Sequence, residues 1–320
     1  MVTVITRTIG PSGRDYASFT LAEADVTNIG TSANLVANDE AIVFEADAGT
    51  YTEYVTFNSS LTTDATRNVT YKPAAGSEHG GVPGAGVVIN ASYFMVFRDD
   101  YMLFDGMEVN GTGSQVFNIR QLTGLTVRNC IVDAASQGLV IYYDSVDIAV
   151  ENCVLSSVSH AIYPNASSGT ISVSVRNCTV KNGPTPVAAI RIAQSSTATI
   201  SAEFVNHLHL GGAGGAYTAS GTVTVTGSNN FGGSTNPFPV AIQGSPYPIT
   251  PTTNTSPGAG DWAIYKAATG RLYNVAENDV WQQGVGPSVN SDVPTTDILG
   301  VARSGATCNP GAFEASVGKV

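Results

Sequence analysis

Three stretches of the chain line up without gaps: Leu125-Thr-Val-Arg-Asn-Cys130, Ile148-Ala-Val-Glu-Asn-Cys153 and Val173-Ser-Val-Arg-Asn-Cys178. Each runs as a short half-buried strand and stops at an asparagine followed by a cysteine. The asparagines, Asn129, Asn152 and Asn177, lie 23 and 25 residues apart. A step of 23 back from Asn129 reaches Gly106 in Leu103-Phe-Asp-Gly-Met-Glu-Val109, and weaker matches place Asn206 and Asn229 in the series. Gly and Asn are the residues that tolerate left-handed backbone, so a column confined to them marks one recurrent bend.

Each period holds two further strands. An apolar one precedes the bend segment, in Val116-Phe117, Leu139-Val140-Ile141, Ala161-Ile162-Tyr163 and Ala189-Ile190-Arg191-Ile192. A short one follows it, in Ile131-Val132, Val154-Leu155 and Thr179-Val180. Three strands and three bends per period describe one coil of an all-β, right-handed parallel β-helix, with successive coils paired in register about 4.8 Å apart. On such coils Asp105, Arg128, Glu151 and Arg176, just before the bend, become neighbours of alternating sign, each pair stabilising by a few tenths of a kcal/mol. Cys130, Cys153 and Cys178, just after it, read as a column of buried free thiols rather than a disulfide framework. A β-sandwich would show hairpin signals every 8–12 residues, and the consensus leucines of leucine-rich repeats are missing.

These Val-Arg-Asn-Cys and Val-Glu-Asn-Cys coils resemble the right-handed parallel β-helix repeat proteins of the pectate-lyase-like superfamily. Upstream, the segment from Val43 to Phe57, with Gly49-Thr-Tyr-Thr-Glu53 inside it, resembles the first coil common in that group. The resemblance implies a fold and not an activity. It divides the chain into an N-terminal segment (1–39), coils (40–235) and a Pro/Gly/Thr-rich wrap (236–320). About 200 residues would make eight or nine coils, near 40 Å long. In Gly13–Asp25 a short capping helix is expected, with Ala17, Leu21 and Ala24 on its apolar stripe; this stretch is similar to leader segments of phage β-helices. The ending Asp297-Ile-Leu-Gly-Val-Ala-Arg303, followed by Asn309-Pro-Gly-Ala-Phe-Glu314, is similar to the closing motif of many such chains, with Asn309-Pro310 in place of the usual acidic–apolar pair. That likeness implies that Asp297, Arg303 and Glu314 fasten a loop over the last coil.

Composition narrows the function. Charged residues make up 12% of the chain, about half the usual share of roughly 25%, so Ser, Thr, Asn and Gly must supply the polar surface. A net charge of −11 without a basic cluster argues against nucleic acid as a partner, and no apolar run reaches the roughly 18 residues needed to insert in a membrane. The first ten residues lack the features of a signal peptide, which fits a protein made in a host cytoplasm and assembled into a virion.

Candidate chemistry is sparse. A glycosidase needs two carboxylates facing one groove. The pairs to consider are Asp99 with Asp100, and Asp144 with Asp147 beside Tyr142 and Tyr143, although acids at turns more commonly bond the local backbone. A calcium-dependent lyase would pair an acidic cluster with a base such as Arg120 or Arg191, and no such cluster accompanies them. His207-Leu-His209 has a spacing able to hold a transition metal, the plainer reading being a solvent-facing pair on a strand edge. No cofactor or metal is expected. The reading is a non-catalytic structural or receptor-binding protein of a bacteriophage virion: a short tailspike, fibre or capsid decoration protein. Its partners would be two further copies in a homotrimer, other virion proteins and host surface polysaccharide. The alternative is a depolymerase or lyase acting on bacterial surface glycans.

Overall fold

A computed structural model of the chain describes residues 1–182, 190–195, 197–210, 217–221, 223–230 and 284–308, apart from 292, 299, 301, 304 and 306. Glu314 and most of the expected C-terminal wrap lie outside these residues. The strands form three sheets whose pairings are all parallel. Sheet I has nine strands, beginning at Thr3–Ile9 and Glu40–Ala46 and ending at Ala198–Val205 and Val223–Ser228. Sheet II has seven, from Gly49–Glu53 to Leu208–Leu210, and sheet III seven, from Thr56–Phe57 to Tyr217–Ser220. The chain visits I, II and III in turn, which makes a β-solenoid of about seven full turns with an extra sheet I strand at each end. About 200 residues at 23 per coil predict eight or nine coils. The early ones are longer than 23 residues, because loops 58–68 and 74–86 are spliced in; Ile42 pairs with Val69, and Val69 with Met102.

Side chains pointing inward fill the tube. Aromatic rings stack through the first coils: Phe44 on Tyr71 at 4.6 Å, Phe57 on Phe97 at 4.9 Å, and Phe117 edge-on to Phe97 at 5.1 Å. Phe97 is followed in its sheet III column by Ile119 and Ile141, and Phe117 in the neighbouring column by Leu139, Ile162 and Ile190, all buried.

The bend column turns this stack into one object. Gly106 has φ 73°, and Asn129, Asn152, Asn177, Asn206 and Asn229 have φ between 51° and 55°. That conformation keeps the bend's own N–H in the inter-coil ladder: Asn129 N donates to Glu151 O at 3.0 Å, Asn152 N to Arg176 O at 3.0 Å, and Asn177 N to Val205 O at 2.9 Å. The side-chain amides form a second ladder, Asn129 Nδ2 to Asp105 Oδ1 at 2.8 Å and Asn152 Nδ2 to Asn129 Oδ1 at 3.2 Å. Beside it, Arg128 meets Asp105 at 2.8 Å, and Arg176 meets Glu151 at 3.5 Å and Glu203 at 2.7 Å. The alternation extends upstream to Lys72 and Glu45, 3.1 Å apart.

Two loops dock against this column from outside. Gly81 N donates to His79 Nδ1 at 2.9 Å, so the ring proton sits on Nε2, which donates to Asn129 O at 2.8 Å. Near the C-terminus, Arg303 N bonds Thr295 O and Thr296 bridges Ala302, forming a hairpin turned at Gly300 with φ 75°. Arg303 Nη1 donates to Asn152 Oδ1 at 2.6 Å and Thr296 O at 2.7 Å, and Val293 packs on Val205. The Asp297–Arg303 motif therefore lies along the side of the coils, where the sequence reading put it over the last one. Buried Arg303 finds its acceptors in the mid-stack asparagine bend.

At the other end, helix α1 (Phe19–Asp25) is capped by Ser18 Oγ and by Glu53, whose carboxylate accepts from Phe19 N at 3.1 Å and Thr20 N at 2.8 Å. Phe19, Ala22 and Val26 are buried, whereas Ala17, Leu21 and Ala24 are exposed. The expected stripe is off because the helix starts at Phe19, and that large ring takes the inward face against Tyr51 at 5.2 Å. Glu23 receives Tyr71 Oη at 2.9 Å and Asn58 N at 2.9 Å. Burial, helped by nearby Asp99, pushes its carboxyl up to about 8.

Two measurements test this architecture. Replacing Asn152 by Leu should destabilise the fold by about 1–3 kcal/mol, since it strains a left-handed bend and removes buried amide bonds; an unchanged denaturation midpoint would contradict the ladder. Because folding raises the affinity of Glu23 for its proton, stability falls as pH climbs from about 4.5 to about 8, by at most about 1.4 kcal/mol per unit. Glu23→Gln should flatten that slope in denaturant titrations across the same window.

Candidate functional site

The acidic residues singled out as candidate catalysts are engaged in holding bends. Asp99 Oδ1 accepts from Ser59 N at 2.6 Å, and its carboxyl is raised chiefly by burial. Asp100 Oδ1 accepts from Thr123 N at 2.6 Å. Asp144 is an exposed bend residue and Asp147 an exposed residue at the register shift of strand Ser145–Glu151, with φ 53° and 54°. Asp144 accepts from Thr170 N at 3.3 Å, while Asp147 N donates to Ser172 Oγ at 2.7 Å. Each side chain or backbone thus links its own coil to a neighbour.

His207 and His209 are buried, not solvent-facing. His207 follows Asn206 as Cys178 follows Asn177, and His209 pairs with Val180, so both rings enter interior columns. Burial pushes their pKa values down to about 3 and about 4. Among the described residues no group of three or more His, Cys, Asp or Glu is placed to hold a metal.

The outer face of sheet III is different in kind. Gln115, Gln137 and His160 form one register row, and Asn118, Val140 and Tyr163 another. The Arg120 guanidinium lies over the Tyr142 ring at 4.7 Å, and Arg191 over Tyr163 at 5.1 Å. Arg191 Nη1 is 3.4 Å from His160 Nε2, and the His160 and Tyr163 rings are 5.1 Å apart. Arg120 Nε donates to Asn118 Oδ1. Asn118 is fully buried, and its Nδ2 has no hydrogen-bond partner among the described residues. No described strand of sheet III contains Asp or Glu, in a chain with 25 of them.

Among the groups of this face that reach solvent are the Arg120 and Arg191 guanidiniums and the Tyr142 and Tyr163 rings beneath them, backed by buried Gln115, Asn118 and His160. Such a set can grip the hydroxyls and carboxylates of sugars through charge-assisted bonds and stacking. Arg120, Tyr142 and Arg191 were visible in the sequence, but nothing there joined them to Asn118, His160 and Tyr163. The signal that finds them is strand alternation in sheet III, where polar or aromatic residues recur at outward positions. A separate cleft of about 610 Å³ near the last coils is lined, among the described residues, by Gln194, Ser195, Ala198, Thr199, Ile200, Gly221 and Thr224, none of them ionisable.

The buried histidines set the acid response. Folded His207 and His209 resist protonation, whereas the unfolded chain takes up protons below about 6.5. The contribution of the two rings is therefore intact above that pH and falls as pH drops toward 4, by up to about 1.4 kcal/mol per unit for each ring, opposite in sign to that of Glu23. His209→Val, which copies Val180 in the same column, should shift the acid unfolding midpoint to lower pH; an identical midpoint would exclude His209 as a contributor.

No family model, curated protein or solved structure matches the chain.

Proposed function

We propose that the chain is a structural or receptor-binding protein of a bacteriophage virion, such as a short tailspike, fibre or capsid decoration protein, that grips bacterial surface polysaccharide along sheet III without cleaving it. The observation that carries this reading is the contrast between two faces. On sheet I the charges are spent on each other, from Glu45 and Lys72 to Arg176 and Glu203. On sheet III the described strands and the residue after one of them supply Arg120, Arg191, Tyr142 and Tyr163, and those strands contain no Asp or Glu. Hydrolysis of a glycosidic bond by the usual route needs two carboxylates about 5–10 Å apart, and a glycan laid on this face would meet donors and rings instead. The virion assignment draws on the resemblance of both chain ends to phage β-helix proteins. A homotrimer would bury one lateral face of each protomer without open-ended growth.

A second reading has one specific observation in its favour. Arg191, His160 and Tyr163 lie together, and a uronate lyase uses a cation to hold the carboxylate and a Tyr or His as base.

Both readings meet one experiment. The protein is incubated with polygalacturonate, hyaluronan and dextran, following retention by affinity electrophoresis, ultraviolet absorbance of unsaturated products and release of reducing ends. The proposal expects the acidic polymers to retard the protein, weakening at least tenfold in Arg120→Ala and Arg191→Ala, with no product. Product that vanishes in Tyr163→Phe would promote the lyase reading, and retardation that survives both arginine variants would remove sheet III as the binding face. Sedimentation should show a trimer at micromolar concentration, and a stable monomer would count against the assembly.

A further inference from the structure

Of the chain's four cysteines, three, all but Cys308, share more than burial. The register that pairs Arg128 with Glu151 and Glu151 with Arg176, and Ile131 with Val154 and Val154 with Thr179, puts Cys130, Cys153 and Cys178 in line on three successive coils. All three are free and fully buried. Their thiols also face the same way, each against the carbonyl two residues upstream: Cys130 Sγ to Arg128 O at 3.1 Å, Cys153 Sγ to Glu151 O at 3.2 Å and Cys178 Sγ to Arg176 O at 3.4 Å. Side chains repeated in one orientation on stacked parallel strands repeat at the strand spacing, about 4.8 Å.

That spacing selects a chemistry. A disulfide needs Cβ atoms about 3.5–4.5 Å apart, closer than in-register coils bring them, so the column resists oxidative pairing. Two metal–thiolate bonds of about 2.3 Å each span nearly the coil spacing with the ion midway and the S–M–S angle close to linear. Linear two-thiolate coordination is the preference of soft, closed-shell d10 ions. Zinc wants four ligands, and among the described residues no three or more His, Cys, Asp or Glu side chains converge on one point to hold it. The dry surroundings add a charge criterion, because an uncompensated charge is costly there. A divalent ion that displaces two thiol protons leaves the core neutral.

We propose that Cys153 and one of its two neighbours, Cys130 or Cys178, form a linear two-thiolate site for the mercuric ion. Binding makes two Hg–S bonds and releases two protons, with no change of oxidation state. Cys153 belongs to either pair, whereas Cys130 and Cys178 are two coils apart, about 9.6 Å, too far to share one ion.

This geometry predicts an uneven response to three similar substitutions. In a Cys308→Ser background, the protein is refolded with one equivalent of mercuric chloride, then desalted against a large excess of a monothiol. Metal per chain, the ultraviolet thiolate-to-mercury band and the melting temperature are measured. The parent, Cys130→Ser and Cys178→Ser should each keep close to one ion and melt higher when loaded. Cys153→Ser should keep less than a tenth of an ion and show no shift. Cys153→Ala repeats the test should the serine variant fail to fold. Equal retention by all three single variants, or loss of the ion from the parent to the monothiol, would overturn the proposal.

Discussion

Everything in this molecule depends on a backbone bend that costs no hydrogen bond. A chain that turns sharply between two strands normally leaves N–H and C=O groups without partners, and a buried orphan is expensive. In the left-handed conformation at Asn129, Asn152 and Asn177 the bend's own N–H still points along the stack and bonds to the next coil. Asparagine suits the position twice over. It tolerates positive φ better than other side chains with a Cβ, and its amide bonds the amide or carboxylate of the coil before it. With the bend settled, strand register follows, and with it every column of the solenoid.

The columns have separate physical tasks. Inward ones carry mostly aromatic rings in the early coils and mostly aliphatic side chains and thiols later, with the Phe204, His207 and His209 rings near the far end, all excluded from water. The sheet I outer column alternates charge, which disfavours a slip of one coil because like charges would then face each other. Loops that dock on the asparagine column, through His79 and Arg303, add ties between distant parts of the sequence. On sheet III, by contrast with sheet I, the described outward groups are not consumed by inter-coil charge pairs. Its place along a rigid wall, rather than on a mobile loop, suits recognition of an extended polymer.

Much of this was legible in the sequence because a solenoid is locally encoded. Asn129, Asn152 and Asn177 recur at nearly constant spacing, and the charges and thiols on either side of them inherit the same offsets. The histidines carried the same signal: His207 stands one residue after Asn206, the offset of Cys178 from Asn177, which already assigns it to the interior. Reading His207 and His209 as an outward pair ignored that register. What the sequence hides is long-range. Nothing near Arg303 announces that its acceptor is Asn152, 151 residues away. The α1 stripe was misplaced because its first turn begins at Phe19, a boundary set by the Ser18 and Glu53 caps rather than by periodicity. The sheet III face, too, became visible only when strands from successive coils were laid side by side.

Native-state hydrogen exchange at the bend amides tests the central claim most directly. Turn amides in ordinary loops exchange through small local openings, within seconds to minutes. If the left-handed bend keeps its N–H in the inter-coil ladder, the amides of Asn129, Asn152 and Asn177 will exchange as slowly as those of mid-strand Val127, Val150 and Val175, and only through an opening that exposes whole coils. Fast, independent exchange at the three asparagines, with the flanking strands still protected, would contradict the account.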